Sequence, residues 1–493
     1  MPNAIGRYAL GVDTFTIVDP RFGTGEAPAQ PIGWGGGGGG GEGGPTHVRY
    51  IPPSGDTTGN LDAQNINTAL LAAKEAAPSV VYIDGEYYVN TPIEVQTGTT
   101  LQGSGWRNAT IHLTAGANCD VITAPTAYRF RILDLAVDGH SESQTLTGNT
   151  AGCGVNIASQ PSPMPDLEGW RGGSLHIIQG VYTHFTVSDG IRIGGYSNEG
   201  RLINCYAVRA GRNGFRITAG VDYFAMGLTS GESYSDGIRF EGDGRLLWCK
   251  SWWSGFFVPR GQNPRLSVVN NPAASGYYFP GGVTGTGAQV FNCEAQDSGG
   301  YSFNIEASAG RFYIKTDQPA GGHVNVTGKG NVLDLHYANI THGTNAPYVI
   351  AGLGSQNTIR LHGWTRRAAS GTGTQRVMNP AINPLDAVRN TVISDTSLVQ
   401  LPTAYAATVE PDFAAGSPAI TLTGNITISN PLDDLYGAEA EVLLTQDAIG
   451  GRTVTWGEKF TGMSAITAAA GKTTVWRVRC IGRVWRQVDH YAL

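Results

Sequence analysis

The chain has 493 residues, of which 70 are Gly, 41% are hydrophobic and 15% are charged, and its formal net charge is −6 at pH 7. This length exceeds what one ordinary hydrophobic core supports, so several domains or a stacked repeat are expected. The dispersed glycines and the apolar content exclude collagen and disorder and favour a turn-rich β architecture. The scattered basic residues predict no nucleic-acid partner, and no apolar run is long enough for a membrane span.

The N-terminal region predicts a separate module on a flexible tether. The sequence GWGGGGGGGEGG lies within residues 33–50, a Gly-rich linker that leaves residues 1–32 as a module of their own. The first residues lack the cationic start, apolar core and cleavage site of a secretory signal. We therefore expect no secretory signal at the N-terminus.

A helix followed by short strands is predicted after the linker, in NLDAQNINTALLAAKEAAPSVVYIDGEYYVNTPIEVQTGTTLQGSG. Asp62 is placed to cap a helix from about Ala63 to Ala77. One stripe of that helix carries Ile66, Leu70 and Ala73. An amphipathic helix ahead of short strands is the element that covers the end of a solenoid.

A repeated motif follows. Its copies are SDGIRI at Gly190, RNGFRI at Gly214, SDGIRF at Gly237, WSGFFV at Gly255 and SGYYF at Gly276, with a looser copy near Tyr301. The intervals between these glycines are 18 to 24 residues. One coil of a right-handed parallel β-helix takes about this many residues. The sequence therefore predicts an all-β fold with a right-handed, single-stranded parallel β-helix.

Three cysteines mark a second strand, in INCYAV, LWCKSW and FNCEAQ. Alternation predicts that Cys205, Cys249 and Cys293 face the core, together with the residues two positions before them, Ile203, Leu247 and Phe291. The spacing of 44 residues predicts two coils between successive cysteines, roughly 9.6 Å and beyond disulfide reach. The remaining cysteines are too scattered for a metal site, so neither a metal nor a cofactor is predicted.

The C-terminal part changes character. Residues 366–408 predict a connection, and residues 409–493 predict a small antiparallel, sandwich-like β domain because AITLTGNITISNP, AEVLLTQDAIGGRTVTW and KTTVWRVRCIGRVWRQV alternate cleanly. Gly450 and Gly451 predict a hairpin turn within it.

The passage DTTGNLDAQNINTALL to TTLQGSG resembles the N-terminal segment of the pectate-lyase-like parallel β-helix superfamily, as found in bacteriophage tailspikes and tail receptor-binding proteins. The resemblance covers about residues 55–365 and implies a β-helix over 51–365 with an N-terminal capping helix. The C-terminal domain looks like a compact domain of phage tail and fibre proteins. The resemblance further implies a homotrimer in the virion tail, made in the host cytoplasm and attached to other tail proteins through residues 1–32.

Catalytic candidates come from the repeat itself. Asp189 and Asp236 precede repeat glycines two coils apart, roughly 9.6 Å, near the upper limit for the acid and base of an inverting glycosidase. Glu241 in the same segment is a third candidate, and Asn213 takes the equivalent position between the two Asp residues. The alternative is that these Asx-Gly pairs only make the turn, with Gly at positive φ.

Binding candidates come from residues predicted to face outward. They are Arg192, Arg216, Arg239, Phe257 and Tyr278 in one column, with Trp248 and Trp252 from KSWWSGFF. Stacked guanidinium groups repel one another unless an anion lies across them, and aromatic rings stack on sugars, so an acidic host surface glycan is one candidate ligand. The alternatives are that Glu199, Glu241, Asp243 or a neighbouring subunit neutralises the column, and that the Trp residues pack in a trimer interface.

A weaker candidate is LDLAVDGHS, which holds Asp134, Asp138 and His140. The alternative there is an exposed His beside an Asp-Gly turn.

Two functions follow from these patterns. The first is a phage tailspike or receptor-binding protein that adheres to host cell-surface polysaccharide. The second is a polysaccharide depolymerase, a glycoside hydrolase or lyase, on the same β-helix. The NTD, DD, GHG and RIK signatures of polygalacturonases are missing in that form, so pectinase activity is not expected.

Overall fold

Strands from successive copies of the repeat pair in parallel in the computed structural model. The structure describes residues 47–75, 79–145, 151–159, 175–195, 197–218, 222–257, 269–282, 287–337, 348–362, 368–369, 373–374, 376–379, 381–382, 389–394 and 400–493. The predicted module at residues 1–32 lies outside the described residues, as does the linker up to residue 46. The first strand, His47–Ile51, already pairs with Ser79–Ile83, so the coil stack begins at the end of the predicted linker.

Each coil contributes strands to faces that we name the first, second and third face. The first face comprises His47–Ile51, Ser79–Ile83, Thr99–Gly103, Arg131–Leu133, Ile177–Gln179, Arg201–Ile203, Tyr223–Met226, Gly244–Leu247, Gln289–Gln296, Arg311–Asp317, Val332–Tyr337, Thr358–His362 and Thr391–Ser394. The second face comprises Gly85–Val89, Ala109–Leu113, Ala136–Asp138, Tyr182–His184, Tyr206–Val208, Thr229–Gly231 and Lys250–Trp252. From Gln289–Gln296 onward, one longer strand continues both faces.

The third face is a separate sheet of eleven parallel strands. It comprises Ile93–Glu94, Ile122–Ala124, Val155–Ser159, Ile191–Gly195, Phe215–Ile217, Ile238–Phe240, Tyr277–Phe279, Tyr301–Ile305, Gly322–Val326, Tyr348–Leu353 and Arg376–Met378. Its inward side chains stack in register, so Ile191, Phe215, Ile238 and Tyr277 are fully buried. Burying each such side chain contributes roughly 1.5–3 kcal/mol, which makes the stacked interior the main source of stability.

One helix, Asn60–Glu75, covers the N-terminal coils, and a short 3₁₀ turn lies at Ser141–Ser143. The predicted stripe is confirmed, because Ile66 and Leu70 are fully buried. The predicted cap is wrong, because the helix begins before Asp62. Asp62 is itself buried and accepts the backbone N–H groups of Ser54 and Tyr88 at 2.8 and 2.9 Å, which fastens the helix to the second face.

The strand alternation between the first and second faces is interrupted by one left-handed residue per coil. Asn204, Trp248 and Asn292 occupy this position, with φ of 50°, 53° and 52°. The extra residue shifts the phase, so Leu202, Leu246 and Val290 fill the core instead. The prediction that Ile203, Leu247 and Phe291 face inward is therefore wrong, whereas the inward positions of the three cysteines are confirmed.

The repeat positions require glycine because there is no room for a side chain, not because the backbone needs a positive φ. Those at the start of the third-face strands, Gly190, Gly214, Gly237 and Gly276, have φ outside the left-handed region, so the predicted positive φ is wrong. A Cβ on Gly214 would lie 2.0 Å from Ser230 Oγ and 2.8 Å from the Gly237 carbonyl oxygen. The coils are stacked too closely there for any side chain.

The motif copy at Gly255 is not a coil, and the prediction that it is one is wrong. Phe256–Phe257 pairs antiparallel with Val269–Asn270, while Ile238 pairs directly with Tyr277. An insertion on one coil therefore produced the apparent extra repeat.

Because of the insertion, the predicted spacing of two coils between Cys249 and Cys293 is wrong. Cys249 and Cys293 lie in adjacent coils, because Lys250 pairs with Glu294. Only Cys205 and Cys249 are two coils apart. All six cysteines are free.

The C-terminal region contains a mixed rather than a purely antiparallel domain. Its larger sheet comprises Gln400–Pro402, Ser417–Thr421, Glu439–Thr445, Thr473–Ile481, Val484–Ala492 and Phe460–Thr461, and its smaller sheet Thr408–Val409, Ile426–Ile428 and Val454–Trp456. The first strands of both sheets pair in parallel. The pair Thr473–Ile481 and Val484–Ala492 then forms an antiparallel hairpin.

That hairpin turns at Gly482 and Arg483, both at positive φ as in a type I′ turn. The predicted hairpin at Gly450 and Gly451 is wrong, because the strands on either side of it belong to different sheets.

Ladder pairing also continues into the segment predicted as a connection. Arg376–Met378 pairs with Tyr348–Leu353 on the third face, and Thr391–Ser394 pairs with Thr358–His362 on the first face. Two minor strands there, Ala368–Ala369 and Gly373–Thr374, pair antiparallel.

The fold class predicted from the sequence is confirmed: an all-β, right-handed parallel β-helix with an N-terminal capping helix and a small C-terminal β domain. Within the described residues, the single α-helix is too short and too polar to cross a lipid bilayer.

Candidate functional site

A cleft of about 790 Å³ lies on the first face. Its centre is a row of outward side chains in three successive coils, Arg201, Phe224 and Arg245, which pair in register. They face outward because the next residue of each strand, Leu202, Ala225 or Leu246, is fully buried. We call this surface the first-face cleft. Its volume is typical of a site for a small ligand or a few sugar units.

Two carboxylates lie at the rim of the first-face cleft. Glu199 and Asp222 hold equivalent positions, each two residues before the row, and both have left-handed backbones with φ of 57° and 59°. Adjacent coils are about 4.8 Å apart, so the two carboxylates are neighbours along the axis. Asp243 takes the same position in the next coil, since the Tyr223 backbone N–H donates to its carbonyl oxygen.

The cations of the first-face cleft are available for a ligand. Arg201 and Arg245 are exposed, and neither forms an ion pair with any residue that the structure describes. The same holds for the carboxylates of Glu199 and Asp222 within the described ranges. The cleft therefore combines an aromatic ring with two guanidinium groups and two carboxylates that form no ion pair within the described part of the chain.

The floor of the first-face cleft is rigid and uncharged. Tyr223 is buried and its hydroxyl lies 2.9 Å from His176 Nε2. Burial lowers the pKa of His176 to about 3, which keeps this imidazole neutral. Its ring also stacks on Phe130 at 5.2 Å. These buried contacts lie directly beneath the outward row.

The sequence analysis missed this row. The signal was present in the Arg-Leu pairs that precede Cys205 and Cys249 by the same distance, in RLINC and RLLWC. Alignment on the Asp-Gly motif alone passed over it, because the row belongs to a different face.

The predicted catalytic carboxylates Asp189 and Asp236 lie in a buried ladder at the start of the third-face strands. Asp189 Oδ1 accepts the backbone N–H and the Nδ2 of Asn213 at 3.2 and 2.7 Å. Asn213 Oδ1 accepts the Asp236 N–H at 3.2 Å, and Asp236 Oδ1 accepts the Ser275 N–H at 2.8 Å. Each side chain thus bonds the next coil rather than its own turn.

Burial limits what these carboxylates can do. Asp189 is 0% exposed and Asp236 is 6% exposed. Burial, with a smaller contribution from the Asp189 carboxylate, raises the pKa of Asp236 to about 6, although the Ser275 N–H and Arg239 oppose the shift. The geometry favours the structural alternative, and a catalytic role for the pair stays a prediction.

Two of the three arginines in the predicted Arg column pair with one carboxylate of the chain. Arg192, Arg216, Arg239 and Tyr278 are consecutive in register, and we keep the name Arg column for these four residues. Glu241, the third catalytic candidate, accepts from Arg239 Nε and lies 3.3 Å from Arg216 Nη2.

The aromatic end of the Arg column is also occupied. The Arg239 guanidinium lies 4.7 Å from the centre of the Tyr278 ring, and the Tyr278 hydroxyl donates to Glu306 at 3.0 Å. Glu199 and Asp243, also considered as partners, belong to the first face. Phe257 was wrongly predicted in the column, because it lies in the insertion.

The two predicted Trp residues lie in different environments. Trp248 is 61% exposed at its left-handed corner position, so its outward direction is confirmed. Trp252 is half-buried and its indole packs on the backbone of Gly231, where an added Cβ would lie 2.3 Å from the ring. Its neighbour Trp253 donates from Nε1 to Asp297 at 3.2 Å.

The weaker candidate at LDLAVDGHS is rearranged. Asp134 lies at the corner between the first and second faces, apart from the other two. Asp138 and His140 are joined instead by His112 from the preceding coil, and these three offer ligand atoms within 4.8 Å of one another. The sequence analysis missed His112 because the stacking of coils, not the local sequence, brings it there.

Comparison with known proteins identifies the C-terminal domain. Residues 408–485 match the family model of the putative phage tail fibre C-terminal domain. No curated protein sequence matches the chain.

Several solved structures are similar at low identity. Tailspike protein 2 from Escherichia coli O157:H7 bacteriophage CAB120 is 12% identical with a TM-score of 0.44, over 89% of this chain and 60% of that one. The mannuronan C-5 epimerase A-module of Azotobacter vinelandii is 15% identical with a TM-score of 0.43, over 65% and 93%. The catalytic domain of a GH87 alpha-1,3-glucanase is 13% identical with a TM-score of 0.41, over 71% and 69%. Residues 408–485 match the phage tail fibre C-terminal domain family, and in this chain they follow a parallel β-helix.

Proposed function

We propose that the chain is a receptor-binding tail protein that adheres to an anionic polysaccharide of the host cell surface through the first-face cleft. The observation that carries this proposal is the row Arg201, Phe224 and Arg245, in which two cations without an ion pair to any described residue flank an aromatic ring. Phage tail fibres and tailspikes contact the host surface, and the C-terminal domain match supports that setting.

The chemistry of the row suits an acidic sugar chain. An aromatic face packs against the apolar face of a pyranose ring, and guanidinium groups bind carboxylate or phosphate substituents in two-point contacts. Successive coils lie about 4.8 Å apart, close to the length of one sugar residue, so each coil offers one subsite. We place the glycan here rather than on the Arg column, because Arg216 and Arg239 already pair with Glu241.

A depolymerase function is the second candidate. It is favoured by Glu199 and Asp222, which lie one coil apart at the rim of the same cleft. A spacing of about 5 Å between carboxyl groups is that of a retaining glycosidase, in which one carboxylate attacks and the other donates a proton. The pair Glu199 and Asp222 replaces Asp189 and Asp236 as our preferred catalytic pair, because its members are accessible.

The assembly is also a proposal. We propose a homotrimer that attaches to other tail proteins through residues 1–32. Its support is the exposed Trp248 and an outward apolar stripe on the first face, formed by Ile203, Met226, Leu247, Phe291 and Tyr313. Sedimentation equilibrium at micromolar concentration tests this point, and a stable monomer would contradict it.

The adhesion proposal is tested by replacing the aromatic ring. Binding of the full chain to an array of purified bacterial capsular and O-antigen polysaccharides identifies the ligand. Phe224→Ala is expected to weaken that binding about tenfold, through lost ring stacking. Tyr50→Ala, an exposed first-face aromatic distant from the cleft, is the matched control. Equal binding by Phe224→Ala and wild type would refute the site.

The depolymerase alternative has its own readout. Release of reducing ends from the bound polysaccharide is measured for wild type, Glu199→Gln and Asp222→Asn. Loss of one catalytic carboxylate commonly lowers the rate by about 10²- to 10⁴-fold. If wild type releases no reducing ends while it binds, the protein is an adhesin only.

A further inference from the structure

The second face carries a cluster of side chains that the adhesion function does not use. Glu86, His112, Asp138 and His140 come from three successive strands and the turn after them. His112 and Asp138 are paired directly in register, and His140 follows Asp138 by two residues. We propose that His112, Asp138 and His140 bind a divalent transition-metal ion of the Zn²⁺ class, with Glu86 as the carboxylate that orients His112.

The distances within the cluster fit a metal site. Asp138 Oδ2 lies 3.1 Å from His140 Nε2 and 3.4 Å from His112 Nδ1. In a tetrahedral site with metal–ligand bonds of about 2.0–2.1 Å, neighbouring ligand atoms are about 3.3 Å apart. The three ligand atoms all lie within 4.8 Å of one another, so a small rotation of the partly exposed His140 ring closes the set.

The two oxygens of Asp138 have separate tasks. Oδ1 accepts the backbone N–H of His140 at 3.1 Å, which fixes the carboxylate against the turn. Oδ2 faces both imidazoles. The Asp138 side chain is 2% exposed, and a carboxylate so deeply buried is stabilised by cationic partners.

Glu86 determines which nitrogen of His112 faces the cluster. Its carboxylate contacts His112 Nε2, which therefore carries the proton. Nδ1 is buried and faces Asp138 Oδ2 at 3.4 Å without a geometrically complete hydrogen bond. When Nδ1 carries no proton, its lone pair can bind a metal ion held by the same Asp138 oxygen. A carboxylate behind an imidazole whose other nitrogen points into a donor cluster is the usual outer-shell arrangement of a histidine metal ligand.

The donor set selects the metal class. Two imidazole nitrogens and one carboxylate oxygen suit Zn²⁺, Co²⁺ or Fe²⁺, whereas Ca²⁺ and Mg²⁺ take oxygen ligands. Three protein ligands leave a further coordination position for water or a glycan hydroxyl. His112 and His140 are 16% and 27% exposed, so an ion reaches the site from solvent.

The chain offers a matched control. His362 Nε2 lies 3.1 Å from Asp334 Oδ1, a His–carboxylate pair on the first face that belongs to no three-residue ligand group among the described residues. His362→Asn removes a comparable imidazole without touching the second-face cluster. His140→Asn is the matching test variant, because Asn tolerates the left-handed backbone of His140 at φ 43°.

The test is titration of the full chain, stripped with EDTA, with Zn²⁺ by calorimetry and with Co²⁺ by visible absorption. Wild type and His362→Asn are expected to bind one ion per chain. His140→Asn and Asp138→Asn are expected to lose more than about 100-fold in affinity, and Glu86→Ala about 10- to 100-fold. The proposal is overturned if wild type binds no ion, or if His140→Asn binds as wild type does. In either case the four side chains form only an ion-pair network. Melting curves without metal show which variants are folded.

Discussion

The third face presents arginines in consecutive coils and the first face presents them in alternate coils, and the two sets also differ in what surrounds them. On the third face, Arg216 and Arg239 share Glu241. On the first face, Arg201 and Arg245 flank Phe224 and form no ion pair with a described residue. An outward column of cations does not by itself indicate a ligand site. What decides is whether a carboxylate of the chain already lies between them.

The difference has an energetic basis. A half-buried guanidinium that is already bonded to a carboxylate must break that bond before it binds an external anion, so its net contribution to affinity is small. Arg201 and Arg245 form no such bond with a described residue, although Glu199 and Asp222 line the same cleft. The account therefore assigns structure to the third face and recognition to the first.

The largest expected effect is on glycan affinity. Arg201→Ala combined with Arg245→Ala is expected to weaken binding about 100-fold, since each charged hydrogen bond contributes roughly 1.5–3 kcal/mol. The loss should shrink as salt rises, because salt screens exposed charges. Surface-immobilised polysaccharide and a dilution series of each variant measure this.

The control for that pair is Arg216→Ala with Arg239→Ala, which should change affinity less than about threefold. The sequence alone predicts that Arg216→Ala weakens adhesion, and the contact with Glu241 reverses the expectation. Equal losses from the two double variants would remove the distinction between the faces.

The next effect tests the close stacking of coils at the third face. Gly237→Ala would place a Cβ 1.9 Å from Ser251 Oγ and 2.7 Å from the Gly276 carbonyl oxygen. It is expected to lower the free energy of unfolding by about 1–3 kcal/mol. Gly281→Ala, whose Cβ would meet only ordinary contacts from 3.4 Å, is the control. Indistinguishable melting temperatures for the two variants would contradict the proposed spacing.

A third effect concerns Asp236 and pH. Burial raises the pKa of this carboxyl to about 6 in the folded state, from 3.8. The folded state binds the proton of the Asp236 carboxyl more tightly than the unfolded state does. The resulting stabilisation is fully present below about pH 4 and is lost as pH rises through 6. Asp236→Asn keeps the acceptor for the Ser275 N–H and carries no charge. Above pH 6 the free energy of unfolding of this variant should therefore exceed that of wild type by up to about 3 kcal/mol.

At pH 4 the variant and wild type should melt together. A loss of reducing-end release in Asp236→Asn, with unchanged melting at every pH, would instead support the catalytic role predicted from the sequence.

The smallest expected effect is a gain in affinity for anionic polymers on the third face. Glu241→Gln leaves Arg216 and Arg239 without their carboxylate, so the third face should gain weak affinity for anionic polymers. Retention on a heparin column should increase by a modest salt increment, while polysaccharide binding in the first-face cleft stays within twofold. Unchanged retention would show that Glu241 does not neutralise the column.

Much of the fold was predictable because stacking imposes a local pattern on every coil. The repeat glycines, the inward cysteines and the capping stripe at Ile66 and Leu70 are all visible in the sequence. The errors came from local features that shift the inward–outward alternation of a strand or change the number of coils. Left-handed residues such as Asn204 reversed the inward and outward assignments before them. The insertion at Phe256–Asn270 added a false repeat.

The candidate sites were less predictable, because their members are one coil apart. Arg201, Phe224 and Arg245 are neighbours only once the coil register is known. The same holds for His112 and Asp138, which come from different segments of the sequence. The motif SDGIRF suggested a catalytic role for Asp236 because it groups charged residues in one segment. In the structure, the Asp236 carboxylate bonds the backbone of the next coil.

The central claim is that the host glycan lies on the first face, and a crystal structure of the full chain with an oligosaccharide from the bound polysaccharide tests it most directly. The account predicts a sugar ring against Phe224, with acidic substituents on Arg201 or Arg245. A glycan bound across Arg192 and Arg216 on the third face, with no sugar in the first-face cleft, would contradict it.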